Sequence, residues 1–401
     1  MLSRQNMQQS RCADREQRHR VNILRIAIVA TGEIFGGAER QILTLARCLA
    51  ARDDCHAELL LLHDRQLAAE ARRLGLPIRI LGARGLLDVH CIKAMNRAIH
   101  DDSIDVISVH GYRSTTYLAL SRQAKRIPIM KTEHGAMEIG RGSLSERLKA
   151  WLYRGLDNWA THRLKATRIY VTHDLQRLCA TEHRGSPHRI IYNGIDVPSR
   201  AATSRPKEYS EGLRHLVVVG RLEHVKGVDI AIRAMADPCM PPGTHLHVIG
   251  AGPDTDSLTR LAHDIGVAER VSMLGFRSNV YDYVAHADVL LLPSRHEGLP
   301  YTLLEAMSLG TPVIASRVGG LAEVLTDERQ ALLVAPEDPA GLAAATHRLL
   351  ESASLKDALS GAAAQLVQER FTASLMSEHY LALAVQLVKA TRDRAIHAEQ
   401  S

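Results

Sequence analysis

The densest chemistry in this chain lies in one stretch, Ser294-Arg295-His296-Glu297-Gly298-Leu299-Pro300-Tyr301-Thr302-Leu303-Leu304-Glu305-Ala306. An apolar run, Val289–Leu292, ends at Pro293; Gly298 makes a turn, and Pro300 suits the first position of a helix. The amides of Thr302, Leu303 and Leu304 are then unpaired donors at a helix N-terminus, where negative charge is stabilised. Glu297 in the loop and Glu305 in the early helix can point the same way. A carboxylate accepts two hydroxyl hydrogen bonds at once, which suits the diol of a ribose or hexose. The plainer role for Glu305 is to complement the helix dipole.

A second stretch, Gly220-Arg221-Leu222-Glu223-His224-Val225-Lys226-Gly227, follows an apolar run and sets two cations five residues apart around a turn. Arginine offers a planar fork and lysine a mobile point charge, which together match a diphosphate. A pair of solvated surface cations is the competing reading. Glycine turns recur at Gly250-Ala251-Gly252-Pro253, at Val318-Gly319-Gly320 and at Gly36-Gly37, within Thr31-Gly32-Glu33-Ile34-Phe35-Gly36-Gly37-Ala38-Glu39-Arg40. Each permits close backbone approach by an anion, and each is equally a tight strand-to-helix turn. Two histidines, His110 in Val109-His110-Gly111 and His134 in Glu133-His134-Gly135, also end apolar runs.

Ligands of open α/β sheets bind at the carboxyl ends of the strands, so these motifs need a parallel sheet behind them. The pattern supplies one twice. Short apolar runs at Arg25–Ala30, Glu58–Leu62, Ile78–Leu81, Asp105–Val109, Ile129–Thr132, Arg168–Val171 and Arg189–Ile191 alternate with helical periodicity such as Ala38–Ala51 and Val89–His100. After a polar stretch the alternation restarts at Leu216–Val219, Leu246–Ile249, Val271–Leu274, Val289–Leu292, Val313–Ala315 and Ala331–Val334. We divide the chain into a polar tail (1–22), a first Rossmann-like domain (23–198), a linker (199–212), a second Rossmann-like domain (213–374) and a final segment (375–401). The helical pattern from Leu375 to Lys389 in that last segment is expected to cross back and brace the first domain.

Composition narrows the function. With 401 residues the chain is long enough for two cored domains, and 46% hydrophobic with 23% charged residues is a globular balance. At 4% aromatics, a base-stacking surface for nucleic acid is hard to assemble. The formal charge of +6 fits phosphorylated substrates or anionic lipid without requiring either. The six cysteines (Cys12, Cys48, Cys55, Cys91, Cys179, Cys239) form no CxxC pair, so reduced thiols and a cytoplasmic protein are expected. No apolar run reaches the ~18–20 residues of a membrane span. Val21–Ala30 is broken by Arg25 and reads as a first core strand, not a cleaved signal. Histidine spacing supports no metal site, and Asp254-Thr255-Asp256 follows Gly-Pro and reads as a helix start. The segment 143–165 carries Leu144, Leu148, Trp151, Leu152 and Trp159 on one face, flanked by Arg147, Arg154 and Lys165. It reads either as a stripe packed on the first domain or as a basic amphipathic helix lying on a membrane.

Taken in series, these motifs resemble the retaining glycosyltransferases of family 4, which have the GT-B fold: two Rossmann-like domains with parallel sheets facing a central cleft. The resemblance runs from about Arg25 to Phe371. It rests on E-x7-E at Glu297 and Glu305, G-R-x4-K-G at Gly220–Gly227, the Gly36-Gly37 loop with Glu39, and Asn193-Gly194-Ile195-Asp196. It implies that Arg221 and Lys226 hold the donor diphosphate, Glu305 the ribose hydroxyls and Glu297 the transferred sugar. Leu303, Leu304 and Gly319 would add phosphate contacts, with Gly252 in the same donor site, and Gly37 would approach from the opposite domain. His110 matches the active-site histidine, and His134 is a second candidate on the acceptor side.

The resemblance further implies a nucleotide-diphosphate sugar as donor, with UDP favoured, and no required cofactor or metal. The acceptor would be a glycan or lipid-linked, and the setting cytoplasmic, with peripheral contact at the inner face of the membrane through 143–165. Breaking the anomeric bond leaves an oxocarbenium-like sugar and a more negative diphosphate, which fixed cations and amides stabilise. An epimerase or a non-catalytic sugar-nucleotide binder on the same scaffold is the alternative. The intact E-x7-E element disfavours the first, and the presence of Arg221, Lys226 and Glu305 disfavours the second.

Overall fold

The computed structural model describes residues 23–32, 36–85, 88–101, 103–135, 144–196 and 199–399. Two parallel sheets are built from thirteen short strands. The first contains β1 (Leu24–Ala30), β2 (Cys55–Leu61), β3 (Ile78–Ile80), β4 (Val106–His110), β5 (Ile129–Glu133), β6 (Thr167–Tyr170) and β7 (His188–Ile190). The second contains β8 (Arg214–Val219), β9 (Thr244–Ile249), β10 (Val271–Gly275), β11 (Val289–Leu292), β12 (Val313–Ser316) and β13 (Leu332–Val334). Their orders, β3-β2-β1-β4-β5-β6-β7 and β10-β9-β8-β11-β12-β13, repeat one doubly wound plan. In each sheet the order reverses beside the first strand, which opens a crevice above the carboxyl ends.

Helices cover both faces. Around the first sheet run α1 (Gly37–Ala50), α2 (Gln66–Arg73), α3 (Val89–Asp101), α4 (Tyr112–Leu120), α5 (Leu144–Arg163) and α6 (His173–Cys179). Around the second run α7 (Val228–Ala234), α8 (Thr255–Asp264), α9 (Val280–His286), α10 (Tyr301–Leu309), α11 (Gly319–Val324), α12 (Pro339–Leu350) and α13 (Ala353–Arg370). Strands such as β11, Val-Leu-Leu-Leu, are buried along their whole length because apolar helix faces meet them from both sides.

The last helix, α14 (Ala373–Glu399), packs on the first sheet. Met376, Tyr380, Leu381, Leu383, Ala384 and Val388 join the core of β1 and α1, the methionine, leucines and valine contributing up to about 1.5–3 kcal/mol each by leaving water. The Tyr380 hydroxyl pairs with Gln41 Nε2 and Thr132 Oγ1, both at 2.8 Å. The chain reaches α14 through a crossing in which Ala373 N donates to Ile195 O and Ile195 N to Phe371 O. Ile195 and Thr372 form a parallel bridge there.

On α5 the stripe faces outward. Trp151 and Trp159 are 59% and 45% exposed, with Leu148 and Leu152 beside them, while Ala160, Thr161 and Leu164 face the core. Residue 143 and the Leu144 side chain lie outside the described residues. Among the described residues no helix is long and apolar enough to cross a membrane.

Polar residues inside the second sheet carry a pH dependence. His215 Nδ1 meets His247 Nε2 at 3.0 Å, His215 Nε2 meets Ser210 O at 2.9 Å, and Tyr209 stacks on His215 at 4.3 Å. Burial pushes His247 from 6.5 down to about 3, and lowers His215 as well. Both are neutral when folded but take up protons on unfolding. The stability they secure is therefore full above pH 6.5 and declines as pH falls from there towards 3. Replacing His247 with glutamine should make the loss of melting temperature between about pH 7 and 5 shallower than in the unaltered protein. An unchanged slope would exclude this histidine as a source.

Candidate functional site

Three turns at the carboxyl end of the second sheet interlock, and glycine makes this possible. After β8 the chain turns through Gly220–Leu222, whose Leu222 N donates to Ala251 O in the turn after β9. Gly250 has φ +143°, and a Cβ there would stand 1.8 Å from Gly220 O. Gly252 lies against the same turn, with its Cβ position 2.2 Å from Leu222 O. Gly227 has φ +63° and opens α7, and its Cβ position is 1.9 Å from Pro293 O in the turn after β11. Gly227→Ala should cost about 2–3 kcal/mol and lower the melting temperature by roughly 5–10 °C, because the new methyl drives the lysine turn off the Pro293 turn. A thermal scan within 1–2 °C of the unaltered protein, on the order of error, would contradict it.

Arg295 staples the same turns from the side. Its Nη1 and Nη2 donate to Asp229 Oδ1 and Oδ2 at 2.7 and 2.8 Å, and Nη1 also reaches His224 O at 2.6 Å. Lys226 Nζ is thereby held on both oxygens of Glu297, at 2.7 and 2.9 Å, with Ser294 Oγ on Oε1 at 2.8 Å. Arg221 extends further into water and pairs with Glu223 at 2.6 Å. Lys226 and Glu297 thus share one spot beside the turn that carries Arg221.

The helix after Glu297 differs in detail from the sequence pattern. Pro300 is extended (φ −71°, ψ 138°) and caps α10, which starts at Tyr301, so proline stands one residue earlier than its favoured first helical position. The Leu303 amide, expected to be unpaired, donates to Pro300 O at 3.2 Å. The side chains of Leu303 and Leu304 are fully buried. Around Gly319 the backbone is also committed: Gly320 N donates to Glu297 O at 2.9 Å, and the Cβ position of Gly320 is 1.9 Å from Gly298 O. This glycine pair lets α11 approach the Glu297 turn closely.

Glu305 is fully buried. Its Oε1 accepts from Arg40 of α1, across the cleft, and the Tyr281 hydroxyl lies beside the carboxylate, though outside good hydrogen-bond geometry with Oε2. Burial pushes its carboxyl above the ordinary 4.5, and the Arg40 guanidinium offsets part of that rise. The neighbouring residue, Glu39, is likewise raised by burial, and its backbone hydrogen bonds and the charge of Arg221 pull against it. Arg40, on the first turn of α1, thus meets the buried carboxylate, and the charge of Arg221 acts on Glu39 beside it. Gly37 opens this helix, and a Cβ there would meet nothing within 4 Å, which leaves its approach open. Residues 33–35 of the same loop lie outside the described residues. A cavity of about 590 Å³ is lined by Arg40, Phe276, Tyr281 and Tyr301 among others, while Glu305 itself lies behind Arg40 and outside its lining.

The carboxyl end of the first sheet closes the cleft from the other side. His134 O lies 3.3 Å from the Cβ position of Gly298, so the end of β5 touches the Glu297 turn. His110 lies behind it, 3% exposed, with Nδ1 on His134 Nε2 at 3.0 Å and Nε2 on Ser108 Oγ at 3.2 Å. Burial holds both imidazoles neutral, His134 down to about 4 and His110 well below its usual 6.5. Beneath them Lys131 Nζ meets Glu133 at 2.7 Å, and burial would raise that carboxyl but Lys131 and Arg168 more than offset it. A further seam joins the domains where Glu323 of α11 accepts from His173 N, Asp174 N and Tyr192 Oη at 3.0, 2.7 and 2.7 Å.

Arg40, Arg295 and Tyr281 carry no role in the sequence reading. The Arg40 guanidinium sits 5.8 Å from the Tyr281 ring centroid and pairs with a residue 265 positions away. A signal was present in the spacing of Arg40, Thr44 and Arg47 on one face of α1: Arg47 pairs with Asp196, and Arg40 and Thr44 lie at Glu305 and Tyr301.

Comparison with known proteins matches this architecture. Residues 214–352 fit the model of the glycosyl transferases group 1, and residues 35–198 that of glycosyltransferase family 4. The chain is 30% identical over 295 residues to a glycogen synthase of Mycobacterium tuberculosis, covering 69% of each. It is 33% identical over 168 residues to a lipopolysaccharide core biosynthesis glycosyltransferase of Rhizobium meliloti, a match spanning 42% of this chain and about half (48%) of that relative. Among solved structures, Anabaena HepE in complex with UDP-glucose superposes with a TM-score of 0.78 at 20% identity, over 91% of this chain and 100% of that one. The chain belongs to the group 1, family 4 glycosyltransferases and has their GT-B fold.

Proposed function

We propose that this protein transfers a sugar from a nucleotide-diphosphate sugar, with UDP as the favoured nucleotide, to a glycan or lipid-linked acceptor in cell-surface polysaccharide or glycolipid synthesis. Anomeric configuration is retained and no metal is required. One observation carries the reading: Lys226, on the turn that begins at Arg221, holds Glu297 while Arg40 of the first domain holds the buried Glu305, so cations suited to a diphosphate and a carboxylate suited to a diol lie together at the carboxyl end of the second sheet. The UDP and UDP-glucose bound to the Anabaena structures, and the lipopolysaccharide role of the Rhizobium relative, support the choice of donor and acceptor class.

In this reading the arriving diphosphate takes Lys226 and Arg221, whose present partners are the single carboxylates of Glu297 and Glu223. As the anomeric bond breaks, charge grows on the diphosphate, and Lys226, on the turn held by Arg295, stabilises it together with Arg221 once both have turned onto the ligand. Glu305, buried and with Oε1 on Arg40, accepts from the ribose hydroxyls.

The test is a thermal-shift series with UDP, GDP, ADP and TDP, followed by UDP-release assays with and without a lipopolysaccharide-core acceptor, in EDTA. UDP should give the largest stabilisation, and release should require the acceptor and survive chelation. An epimerase would convert the donor sugar without releasing nucleotide, and a binder would show the shift without turnover. No shift with any nucleotide would remove the reading altogether. Product NMR reads the anomeric configuration.

The outward face of α5 gives the acceptor side a place to meet lipid. Trp151, Trp159, Leu148 and Leu152 are exposed beside Arg147 and Arg154, the mixture that inserts at an anionic membrane surface. Co-sedimentation with vesicles of phosphatidylglycerol and phosphatidylcholine should fall at least about fivefold in a Trp151→Ser, Trp159→Ser double variant. Equal binding by both proteins, or none by either, contradicts this contact.

A further inference from the structure

Strand β4 carries a serine and a histidine two residues apart, and side chains at that spacing share a face of the sheet. Ser108 and His110 are both almost fully buried, and His134 stands in front of them at the end of β5, where it touches the Glu297 turn. The three form a single file: Ser108 Oγ to His110 Nε2 at 3.2 Å, then His110 Nδ1 to His134 Nε2 at 3.0 Å. Each neutral imidazole has one N–H and one acceptor nitrogen, so fixing a proton at either end fixes all of them.

The serine decides the direction. His110 Nε2 is the partner its hydroxyl has among the described residues. Were His110 to donate from Nε2, the buried serine proton would have no acceptor, which is costly in a dry interior. With the serine donating, His110 carries its proton on Nδ1 and gives it to His134 Nε2. His134 then holds its own proton on Nδ1, pointing away from the pair.

We propose that His110 is a positioning residue, which with Ser108 locks His134 in the Nδ1–H tautomer and makes it a neutral hydrogen-bond donor at the cleft, not a base. The target is an oxygen of the sugar or the acceptor beside Glu297. This rests on the proposed transferase function for its consequence, although the tautomer itself is independent of any substrate.

Nitrogen spectra of protein labelled with 15N-histidine, with the His134 signals identified by their loss in H134Q, read the tautomer directly. Wild type at neutral pH should show a protonated Nδ1 and an acceptor-type Nε2 for His134. H110F should move that proton to Nε2 or to a mixture. Asparagine places its amide where Nδ1 of histidine lies and glutamine where Nε2 lies. H110N should therefore keep the His134 tautomer, which H110Q and H110F lose, and kcat in H110Q and H110F should fall about tenfold below that of H110N.

Circular dichroism and UDP binding confirm that each variant is folded. A wild-type His134 protonated on Nε2 overturns the proposal, as do equal rates in H110N and H110Q. Failure of every nucleotide to bind would instead overturn the transferase reading, leaving the spectrum to judge the tautomer by itself.

Discussion

Replacing Arg221 with alanine should lower kcat by about 10²–10³-fold while weakening UDP binding by less than tenfold. In the proposed donor site the ground-state diphosphate is shared between Lys226 and Arg221, so losing one cation should cost modest affinity. The charge that appears as the anomeric bond breaks exists only in the transition state, and a cation aimed at it acts on turnover. Arg221 is suited to that task because Glu223 steadies it, yet it remains half exposed and free to turn onto a ligand. Steady-state UDP release and calorimetric titration with UDP separate the two effects. A loss confined to KM, or a kcat within threefold or so of the unaltered enzyme, would assign Arg221 to binding alone.

Glu305→Gln should act in the opposite manner and weaken UDP about 10–100-fold. A charged acceptor gives each ribose hydroxyl a hydrogen bond of about 1.5–3 kcal/mol, and an amide keeps one neutral acceptor only. The substitution also strands Arg40, which now donates to Oε1 from across the cleft. Arg40 keeps partial access to solvent, so it can turn outward, and the binding loss should exceed any loss of stability. Uridine, which has the diol but no phosphate, isolates the effect: its affinity should fall by the same factor as that of UDP. If uridine binding is unchanged, the diol sits elsewhere.

The thirteen strands among the described residues were legible as short runs. Those covered on both faces, such as β11, were clearest because they are apolar throughout, and edge strands such as β7, His-Arg-Ile, which is largely exposed, were least so. Strand starts were less legible. β8 begins at Arg214 and not Leu216, and β9 at Thr244 and not Leu246, since their first residues, Arg214-His215 and Thr244-His245, are polar: His215 pairs with His247 and His245 with Ser272. α14 begins at Ala373 and runs to Glu399, past the Leu375–Lys389 pattern, because its far end faces water and has no apolar period to follow. At the site, residues adjacent in sequence, such as Lys226–Gly227 and Glu297–Gly298, were visible as motifs. Arg40 and Arg295 were not, for their roles exist only when turns 265 and 66 positions away fold against them. The order of the two histidines, one behind the other, likewise follows from the stagger of β4 and β5, which spacing alone does not show.

The return of the last helix to the first sheet makes that half of the molecule discontinuous in sequence. When the last strand of the first sheet has been synthesised, none of the side chains from Met376 to Val388 that seal one of its faces yet exists. That face stays open until the entire second half has been synthesised. The first half is therefore completed only after the second has been synthesised.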